Sequence, residues 1–494
     1  MKEAAKVKPD VATTDRAVGA VLASAAGDAM GAPYEFAGPD PAAPCTLEGG
    51  GGFRWEPGEW TDDTQMALAV LTVLAAGETD PGEIGEAMLR WFASRPRDVG
   101  NQTRAVLADA ARHRVSTAEA AASFQRRSPH AAGNGALMRT GPVALAAIGD
   151  RPAVARLATD VAGLTHPHPD SVEACVLWSL AIERAIRTAR PDVTFDWVGA
   201  VRAGLDHVDP ARHAVWNERI DAASGQEPSG FHRTNGWVVG AFQAAIASIT
   251  STADTAHRAP CDHLTAALRA ASRAGGDTDT VAAIAGALLG ARWGATAVPL
   301  SWRRILHGRR TYDAAHLSAA DLDAMARLAL RGGRPDGSGW PGVAHMDYGR
   351  MTARFVELDG AWFGNTAGIP AAVSDGATVI VSLCRMGTSD VPEGGEHHRV
   401  GLVDTTAGDN PNAAFVLLDT ARTIGDVVAS GGRAFTHCAY AEHRAPSVAA
   451  AYLMTRGADA ESAIGRAGAS LGGAPTPFLR QALAEVERIL QVAG

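Results

Sequence analysis

Two stretches of the sequence place aspartates beside threonines where a polar loop meets an Ala-rich segment of helical length. They read TDDT at residues 61–64 and DTDT at residues 277–280. One acidic residue per stretch is typical of a helix N-terminus, because its carboxylate accepts hydrogen bonds from free N–H groups. The additional carboxylates would repel one another unless a cation neutralised them, and oxygen ligands select a hard ion such as Mg²⁺, Mn²⁺ or Ca²⁺. The sequence therefore indicates metal binding, provided that the two stretches meet in space.

Two further stretches strengthen this interpretation. Residues 25–36, AAGDAMGAPYEF, end a predicted helix in Gly-Asp and bring a carboxylate, Glu35, a few residues later. Residues 130–145, HAAGNGALMRTGPVAL, form a Gly-rich turn that opens a helix, an arrangement that presents backbone N–H groups to phosphate. Because Gly-rich turns before helices are common, this turn has weight only together with the other motifs.

Taken in order, these motifs resemble those of the ADP-ribosylglycohydrolase family, the group that includes dinitrogenase-reductase-activating glycohydrolase. The resemblance extends over about residues 15–305. The matching stretches are GDAMGAPYE at 27–35, WTDDTQ at 60–65, GNQT at 100–103, GNGALMR at 133–139, LTH at 164–166 and GGDTDT at 275–280. Each motif alone would be weak evidence, whereas all of them in this order are specific.

The resemblance implies an all-helical domain that holds two Mg²⁺ or Mn²⁺ ions between the acidic motifs and cleaves a glycosidic bond to ADP-ribose. It implies that the metal ligands are Thr61, Asp62, Asp63, Asp277, Asp279 and Thr280. It also implies a pyrophosphate loop and further residues along the ADP-ribose site, namely Gly133, Asn134 and Gly135 for the loop and Gly100 and His166 for the remainder. The stretch THPHPDS around His166 reads equally well as a capped turn.

A pair of hard divalent ions suits this reaction, since such ions take the vicinal hydroxyls of ribose, polarise the C1″ bond and lower the pKa of a bound water. The resemblance places Glu35 near the substrate ribose. Either Glu35 or a metal-bound aspartate such as Asp62 would take a proton from that water. The sequence leaves the choice between these two carboxylates open. Because the motifs are intact, they predict an active hydrolase.

A different chemistry is predicted near the end of the chain, in HCAYAEHRAPS at residues 437–447. Cys438 precedes Arg444 by six positions, after a strand-like run and before a helix-like one. The helix N-terminus and the arginine would both lower the pKa of the thiol. The backbone N–H groups of residues 439–444 would ring a phosphate that Arg444 clamps. Without this context, such a pair is more often a buried cysteine near a surface arginine.

From about residue 345 the sequence resembles the dual-specificity branch of the protein tyrosine phosphatase family. The resemblance is carried by HC at 437–438, by Arg444 with the AP that follows it, and by AAYLM at 450–454. It implies that the cysteine attacks phosphorus and that an aspartate protonates the leaving oxygen. Asp404 falls where the family keeps this general acid, and Asp409 in the same loop is the alternative.

Two residues of the cysteine loop depart from the family's pattern. Ala441 stands where the family usually has a tightly turning Gly, and it fits the loop if its φ is negative. Ala445 stands where a Ser or Thr hydroxyl usually stabilises the thiolate. The missing hydroxyl would slow hydrolysis of the intermediate by about 10²-fold and leave phosphate binding intact. Ser447 lies two residues too late to replace it. An active phosphatase is favoured over a phosphate-binding remnant.

The elements around these motifs divide the chain into two domains. Residues 15–330 contain apolar segments of helical length, several followed by Gly, and almost no alternating β-branched runs, so they predict an all-α domain. Residues 331–343 concentrate Gly, Pro, Arg and Ser, which is typical of a linker. Residues 344–494 alternate helical segments with strand-like runs and predict a small α/β domain with a mainly parallel sheet. The predicted strands lie at 377–387, 398–406 and 431–438.

The overall composition limits the localisation and the partners. The 494 residues carry a formal charge of −9, which argues against a general nucleic-acid binder. The five cysteines form no CxxC pair, which indicates reduced thiols. No apolar stretch reaches the ~20 residues that a membrane span needs. The charged opening, MKEAAKVKPD, lacks the apolar segment of a secretory signal. These features predict a cytoplasmic protein.

The sequence leaves three interpretations of the whole chain. The favoured one is a bifunctional enzyme that acts on an ADP-ribosylated protein or a small ADP-ribosyl compound and, through its second domain, on a phosphorylated substrate. A second keeps only the hydrolase active and makes the C-terminal domain a catalytically impaired phosphate-binding module. A third, a binding protein that retains the hydrolase fold, conflicts with the intact acidic motifs.

Overall fold

The computed structural model describes residues 9–190, 193–253, 258–390 and 395–493. The chain divides into two compact units. Among the described residues, those up to 253, 262–298 and 305–334 form the first unit, and those at 258–261, 299–304 and 335–493 form the second. The sequence carries no signal that two short segments from its first part belong to the second unit. The prediction about a secretory signal concerns residues 1–10, of which residues 1–8 lie outside the described residues.

Helices dominate the chain up to residue 334, in agreement with its Ala-rich sequence, and of those given next Leu300–Ile305 lies mainly in the second unit. Up to residue 334 the helices are Val11–Gly31 (α1), Asp62–Ala75 (α2), Pro81–Ala93 (α3), Asn101–His113 (α4), Thr117–Arg127 (α5), Leu137–Thr140 (α6), Val143–Ala146 (α7), Arg151–Gly163 (α8), Pro169–Thr188 (α9), Trp197–Arg202 (α10), His213–Asp221 (α11), Val238–Ala253 (α12), Asp262–Ser272 (α13), Thr278–Trp293 (α14), Leu300–Ile305 (α15) and Ala319–Leu330 (α16). In neither unit do the described residues include a helix with the length and apolar character required to cross a membrane.

Two helices rich in small residues, α1 and α14, are buried along nearly their whole length and position the acidic motifs. Glycines allow their backbones to touch. A Cβ added to Gly27 would come within 2.3 Å of the carbonyl oxygen of Ala282, and one added to Gly31 would come within 2.5 Å of the Cα of Asp279. The C-terminal end of α1 therefore lies directly against the N-terminal end of α14.

The prediction of a purely helical first domain is wrong in one detail. His307–Arg309 (β1) and His316–Ser318 (β2) pair as two antiparallel strands. A Cβ on Gly308 would lie 2.4 Å from the indole nitrogen of Trp60, so this strand packs closely on that ring. The backbone N–H of Trp60 also donates to the His307 carbonyl at 3.0 Å. Three-residue strands are too short to show alternation in a sequence, yet this pair holds the residue that precedes the first acidic motif.

The second unit contains a five-stranded sheet, with helices between β4 and β5, between β6 and β7, and after β7. Its elements are Phe355–Leu358 (β3), Ala361–Asn365 (β4), Ile369–Ser374 (α17), Val379–Ser382 (β5), Glu396–Arg399 (β6), Ala413–Ala429 (α18), Ala434–Cys438 (β7), Arg444–Thr455 (α19), Ala460–Leu471 (α20) and Pro477–Ala493 (α21). The strand order is β3-β4-β7-β5-β6. β3 and β4 pair antiparallel, and the other neighbours pair parallel. The sheet is therefore mixed, with the fully buried β7 at its centre.

The strand limits differ from the predicted ones. β3 and β4 were not predicted, because strands of four and five residues separated by a tight turn show too little alternation. The strand expected at 398–406 covers 396–399 instead, and the residues after it form a loop that carries Asp404. Only the core of the run at 377–387 is a strand, Val379–Ser382, whose Ser382 lies opposite His437 of β7.

Part of the segment predicted to be a linker is packed. Trp340 is only 6% exposed, and its indole N–H donates to the Met386 carbonyl at 3.2 Å. Asp336 forms an ion pair with Arg385 at 2.7 Å. Burial of a large aromatic ring outweighs the Gly- and Pro-rich composition around it, so residues 335–343 belong to the second unit rather than to a free linker.

Candidate active sites

The two acidic motifs meet in the first unit. Asp63 in the first turn of α2 and Asp279 in the first turn of α14 lie beside Asp28 of α1, with one carboxylate oxygen of each within 4.8 Å of the others. Glu35, Asp277 and Asp279 form a second group of the same kind. Because Asp279 belongs to both groups, the two groups adjoin. We refer to these residues together as the acidic centre.

Asp28 is a member of the acidic centre to which the sequence prediction gave no role. It is fully buried and accepts hydrogen bonds from the Thr61 N–H at 3.0 Å, the Thr64 N–H at 3.0 Å and the Thr64 hydroxyl at 2.6 Å. A side chain of α1 thus caps the N-terminus of α2. The Gly-Asp pair was predicted to end its helix, whereas α1 continues to Gly31. Asp28 therefore lies inside the last turn of α1 and not in the loop after it.

The carboxylates of the acidic centre are buried close together, an arrangement that favours a bound cation. Burial, followed by the neighbouring Asp277 carboxylate, raises the pKa of Glu35 to about 9, and burial raises the pKa of Asp28 to about 6. Burial also raises the pKa values of Asp63 and Asp279 well above their usual range. Asp63 Oδ1 and Glu35 Oε2 are buried and have no hydrogen-bond partner among the described residues. Both observations fit a hard divalent ion, which would stabilise the ionised carboxylates and satisfy their free oxygens.

Three of the predicted metal ligands occupy other positions around the centre. Asp62 lies in the first turn of α2, and burial raises its pKa, but its carboxylate belongs to neither group. The Thr61 hydroxyl accepts from the Asp63 N–H at 3.4 Å. The Thr280 hydroxyl donates to the sulfur of Met138 at 3.8 Å. The predicted set is therefore divided between carboxylates that converge and residues that surround them.

Two asparagines hold Asp277 in place. Asn134 Nδ2 donates to the Asp277 carboxylate at 2.7 Å and to the Asn235 carbonyl at 2.8 Å. Asn235 Oδ1 accepts from the Asp277 N–H at 3.0 Å, and its Nδ2 donates to the Gly275 carbonyl at 2.9 Å. These bonds tie the predicted pyrophosphate loop to the second acidic motif. Asn235 was not predicted, since TNGW reads as an ordinary turn.

The residues predicted to line the ADP-ribose site lie next to one another. A Cβ on Gly133 would come 3.3 Å from Nε2 of His166, and one on Gly135 would come 3.1 Å from its Cε1. Glycine is needed here for space rather than for conformation, because φ of Gly133 is −64°. Gly100 precedes α4, and Gln102 in the first turn of that helix accepts from the Gly133 N–H at 3.3 Å.

Two exposed aromatic side chains near the acidic centre were not predicted. Phe36 follows Glu35 directly, has a φ of 63° and is 74% exposed, and its N–H donates to the Gly276 carbonyl at 2.7 Å. Trp237 is also exposed and forms a β-bridge with Gly133. Left-handed backbone at a bulky residue is strained, and such strain concentrates at functional sites. Both rings are accessible to a bound substrate.

The second candidate site is the cysteine loop, residues 439–443, which joins β7 to α19. Cys438 is the last residue of β7 and is 2% exposed. The twelve-residue helix α19 begins at Arg444, so the positive end of a helix follows the thiol after the five-residue loop. Thr366 fixes the start of the loop, because its N–H and its hydroxyl donate to the Ala439 carbonyl at 3.3 and 3.2 Å.

Arg444 faces Asp404 and not Asp409. Its Nε lies 3.3 Å from an oxygen of Asp404, and its Nη1 donates to the Leu383 carbonyl at 2.7 Å. The Asp409 carboxylate accepts from the hydroxyls of two threonines in its own turn. Of the two aspartates predicted as general acids, Asp404 is therefore the one beside the arginine of the loop.

The two departures from the phosphatase pattern have structural consequences. Ala441 has a φ of 60°, so the condition of a negative φ is not met, and an L-residue in this region costs about 1 kcal/mol. Ala445 is fully buried in the first turn of α19. The Ser447 hydroxyl donates to the His443 carbonyl at 2.7 Å. Ser447 therefore does not supply the hydroxyl that Ala445 lacks.

Comparison with known proteins defines the class of the first unit. The sequence profile described as ADP-ribosylglycohydrolase matches residues 9–335. The chain belongs to the ADP-ribosylglycohydrolase family, which confirms the resemblance drawn from the motifs. Family and relatives together support an enzyme of the ADP-ribosyl glycohydrolase type.

Among curated relatives, ADP-ribosylarginine hydrolase Tri1 of Serratia proteamaculans (strain 568) is 30% identical over 306 residues, which cover 60% of this chain and 76% of that protein. ADP-ribosyl-[dinitrogen reductase] glycohydrolase of Rhodospirillum rubrum is 31% identical over 294 residues, which cover 58% of this chain and 89% of that protein. A solved structure of an ADP-ribosylglycohydrolase-related protein complex is 28% identical, covers 65% of this chain and 99% of that chain, and gives a TM-score of 0.50.

For the C-terminal region, the crystal structure of human DUSP28 is 21% identical, covers 28% of this chain and 97% of that chain, and gives a TM-score of 0.26. A likeness at this score does not establish the fold. The prediction of phosphatase chemistry therefore depends on the geometry of the cysteine loop itself.

Proposed function

We propose that the first unit is a divalent-metal-dependent hydrolase that releases ADP-ribose from an N-glycosidic linkage to arginine. The observation that carries the proposal is the meeting of the acidic motifs in two adjoining groups of carboxylates that share Asp279. The names of the two curated relatives, an ADP-ribosylarginine hydrolase and an ADP-ribosyl-[dinitrogen reductase] glycohydrolase, favour a protein substrate and a guanidinium acceptor.

Two Mg²⁺ or Mn²⁺ ions would be held by the two groups, with Asp279 shared, and would supply positive charge for the ribose hydroxyls and for an attacking water. Asp62 is the carboxylate of the first acidic motif that belongs to neither group, so we assign it the proton of that water. The water oxygen bonds to C1″ while the C1″–N bond breaks with its electron pair on nitrogen. The released guanidine then takes the proton back from Asp62.

Glu35 is the alternative proton acceptor, and the two assignments predict different phenotypes. A residue that only moves the proton can be neutralised without weakening the metal site. We therefore expect Asp62→Asn to lose turnover and keep the Mn²⁺ affinity of the wild type, whereas Glu35→Gln loses both. Mn²⁺ affinity is measured by calorimetric titration and turnover by the rate assay. If Glu35→Gln loses turnover but keeps the Mn²⁺ affinity, and Asp62→Asn loses both, Glu35 is the proton acceptor.

The test of the proposed hydrolase is a substrate panel of ADP-ribosyl-arginine, ADP-ribosyl-serine and ADP-ribose 1″-phosphate, read by released product. Release from the arginine conjugate in Mg²⁺ or Mn²⁺, and its loss in EDTA, is the expected result. Faster release from the serine conjugate or the 1″-phosphate would change the substrate assignment. Release that EDTA leaves unchanged would contradict the metal assignment.

We also propose that the second unit hydrolyses a phosphomonoester through Cys438. The support is the position of this thiol between a strand end and a helix N-terminus, with Arg444 and Asp404 ion-paired next to the loop. The thiolate bonds to phosphorus as the P–O bond to the leaving group breaks, and Asp404 protonates the departing oxygen. Water then attacks phosphorus, the S–P bond breaks, inorganic phosphate leaves and Asp404 regains its proton.

An aryl phosphate tests this second proposal, with Cys438→Ser as the inactive variant and Cys384→Ser as the matched control. We expect hydrolysis by the wild type and by the Cys384 variant and none by the Cys438 variant. Asp404→Asn should slow release of a poor leaving group, and Asp409→Asn should not. If the wild type is no faster than Cys438→Ser but still binds inorganic phosphate, the second unit is a phosphate-binding module.

A further inference from the structure

Arg139 places a positive charge beside the Gly-rich loop. Its side chain is fully buried. Nη1 donates to the Gly135 carbonyl at 2.8 Å, and Nη2 donates to the Thr165 hydroxyl at 2.7 Å and to the Val161 carbonyl at 3.2 Å. In the part of the chain that the structure describes, its hydrogen-bond partners include no carboxylate. A buried guanidinium without a carboxylate partner is costly, and a nearby anion would compensate it.

Thr165 connects this guanidinium to His166 and fixes the tautomer of the imidazole. A guanidinium can only donate, so the Thr165 oxygen accepts from Arg139. The same oxygen lies 2.6 Å from Nδ1 of His166. Among the described residues the Thr165 hydroxyl proton has no other acceptor. The hydroxyl therefore donates to Nδ1, which must be unprotonated, and the ring proton is on Nε2.

Nε2 is also the atom of His166 that lies against the Gly-rich loop, 3.3 Å from the position of a Cβ on Gly133. Within the described residues Nε2 has no hydrogen-bond partner. Burial, and then the charge of Arg139, keeps the pKa of His166 well below its usual range, so the ring is neutral. The result is a single oriented N–H donor next to a loop whose shape suits phosphate.

We propose that Arg139 and Thr165 are positioning residues for the diphosphate of the substrate: they hold His166 as the neutral Nε2–H tautomer that donates to a diphosphate oxygen, and the buried Arg139 charge favours the anion. This inference depends on the proposed ADP-ribosyl hydrolase function. Beyond the pyrophosphate loop that the family resemblance implies, it assigns roles to two residues that do not contact the substrate.

The first test observes the unaltered hydrogen-bond chain Arg139–Thr165–His166, which we call the relay. The protein is labelled with ¹⁵N-histidine, and the His166 signal is assigned by its absence in His166→Gln. We expect correlations that place the proton on Nε2 and a hydrogen-bond shift of that nitrogen on addition of ADP-ribose. A proton on Nδ1, or an Nε2 resonance that saturating ADP-ribose leaves unchanged, would overturn the proposal.

The second test compares Thr165→Val, which keeps the shape and removes the hydroxyl, with Thr165→Ser, which keeps the hydroxyl. Thr165→Val should raise the Kd of ADP-ribose and the KM of the substrate by about tenfold, because an oriented bond to a charged group is lost. The value of kcat should stay within about threefold, since the metal-binding carboxylates are untouched. Thr165→Ser should retain the wild-type constants.

The outcomes separate this inference from the function on which it depends. If the wild type releases ADP-ribose and Thr165→Val binds it as the wild type does, the relay is wrong and the hydrolase stands. If the wild type shows no hydrolysis of any panel substrate, the proposed function fails, whereas the tautomer measurement still decides the relay. A Thr165→Val protein that loses kcat as much as affinity would contradict a purely positioning role.

Discussion

The acidic centre takes its side chains from α1 and the turn after it, from α2, and from the start of α14, whereas Cys438, the cysteine loop and Arg444 follow one another in a single strand–loop–helix of residues 434–455. Glycines let α1 touch α14 along their length, and this contact between distant parts of the sequence brings Asp28 and Asp279 together. A change far along the chain would therefore disperse the acidic centre. The residues of the cysteine loop are contiguous in sequence, and hydrogen bonds from a distant residue, Thr366, also hold the loop.

The two sites also differ in how far their residues support one another and keep the pattern of the family that each resembles. In the acidic centre, Asp28 caps the helix that carries Asp63, and Asn235 holds Asp277, so each group supports another. In the cysteine loop, Ala441 is strained. Just after the loop, Ala445 lacks the hydroxyl that the phosphatase pattern usually has at this position. An assembled site that retains its motifs is stronger evidence of activity than a local loop that retains its outline.

The largest expected effect comes from breaking the acidic centre at its shared residue. Asp279→Asn removes one carboxylate from both groups, so we expect ADP-ribose release to fall by about 10³-fold and Mn²⁺ to lose its stabilising effect on melting. Hydrolysis of an aryl phosphate should not change. The exposed Asp206→Asn is the matched control. Release that stays within about tenfold of the wild type would show that Asp279 is not shared by two ions.

The sequence could predict those parts of the molecule that are locally encoded. Long apolar runs predict the helices α1, α2, α9, α14, α18 and α19, clustered carboxylates predict the acidic motifs, and the spacing of Cys438 and Arg444 predicts the cysteine loop. What it could not predict depends on contacts between distant segments. The capping role of Asp28 requires α2 to lie beside α1, and Asn235 matters only because Asp277 approaches it. The φ of Ala441 is likewise set by the geometry of its loop and not by composition.

Restoring the missing hydroxyl at residue 445, just after the cysteine loop, tests whether its absence slows the second site. Ala445→Ser should raise steady-state hydrolysis of an aryl phosphate by up to about 10²-fold, because a hydroxyl that stabilises the thiolate speeds breakdown of the intermediate. The wild type should show a burst of the leaving alcohol followed by slow turnover, and the variant should show no burst. Equal rates without a burst in either protein would mean that another step limits turnover.

Removal of Asn235 tests whether the acidic centre depends on its outer hydrogen bonds. Asn235→Ala leaves the Asp277 N–H without its partner and detaches the Gly275 carbonyl. Loss of a hydrogen-bond partner of a metal ligand lowers metal affinity or activity by about 10- to 100-fold. We therefore expect Mn²⁺ affinity and the rate of ADP-ribose release to fall together by that factor. Asn217→Ala, at a half-buried position of α11, is the control. A fall in melting temperature with unchanged Mn²⁺ affinity would make Asn235 merely structural.

The smallest expected effect concerns the strain at Ala441. Ala441→Gly relieves a left-handed backbone, and even after the added flexibility of the unfolded chain it should stabilise the second unit by about 0.5–1 kcal/mol. Ala439→Gly lies in the same loop without a positive φ and should destabilise it by a similar amount. Calorimetric melting of both variants measures the difference. If both glycines destabilise the second unit, the backbone at Ala441 is not strained. If only Ala441→Gly stabilises the second unit and aryl phosphate turnover is no faster, the strain at Ala441 does not limit catalysis. The hydroxyl missing at Ala445 is then the feature that limits turnover.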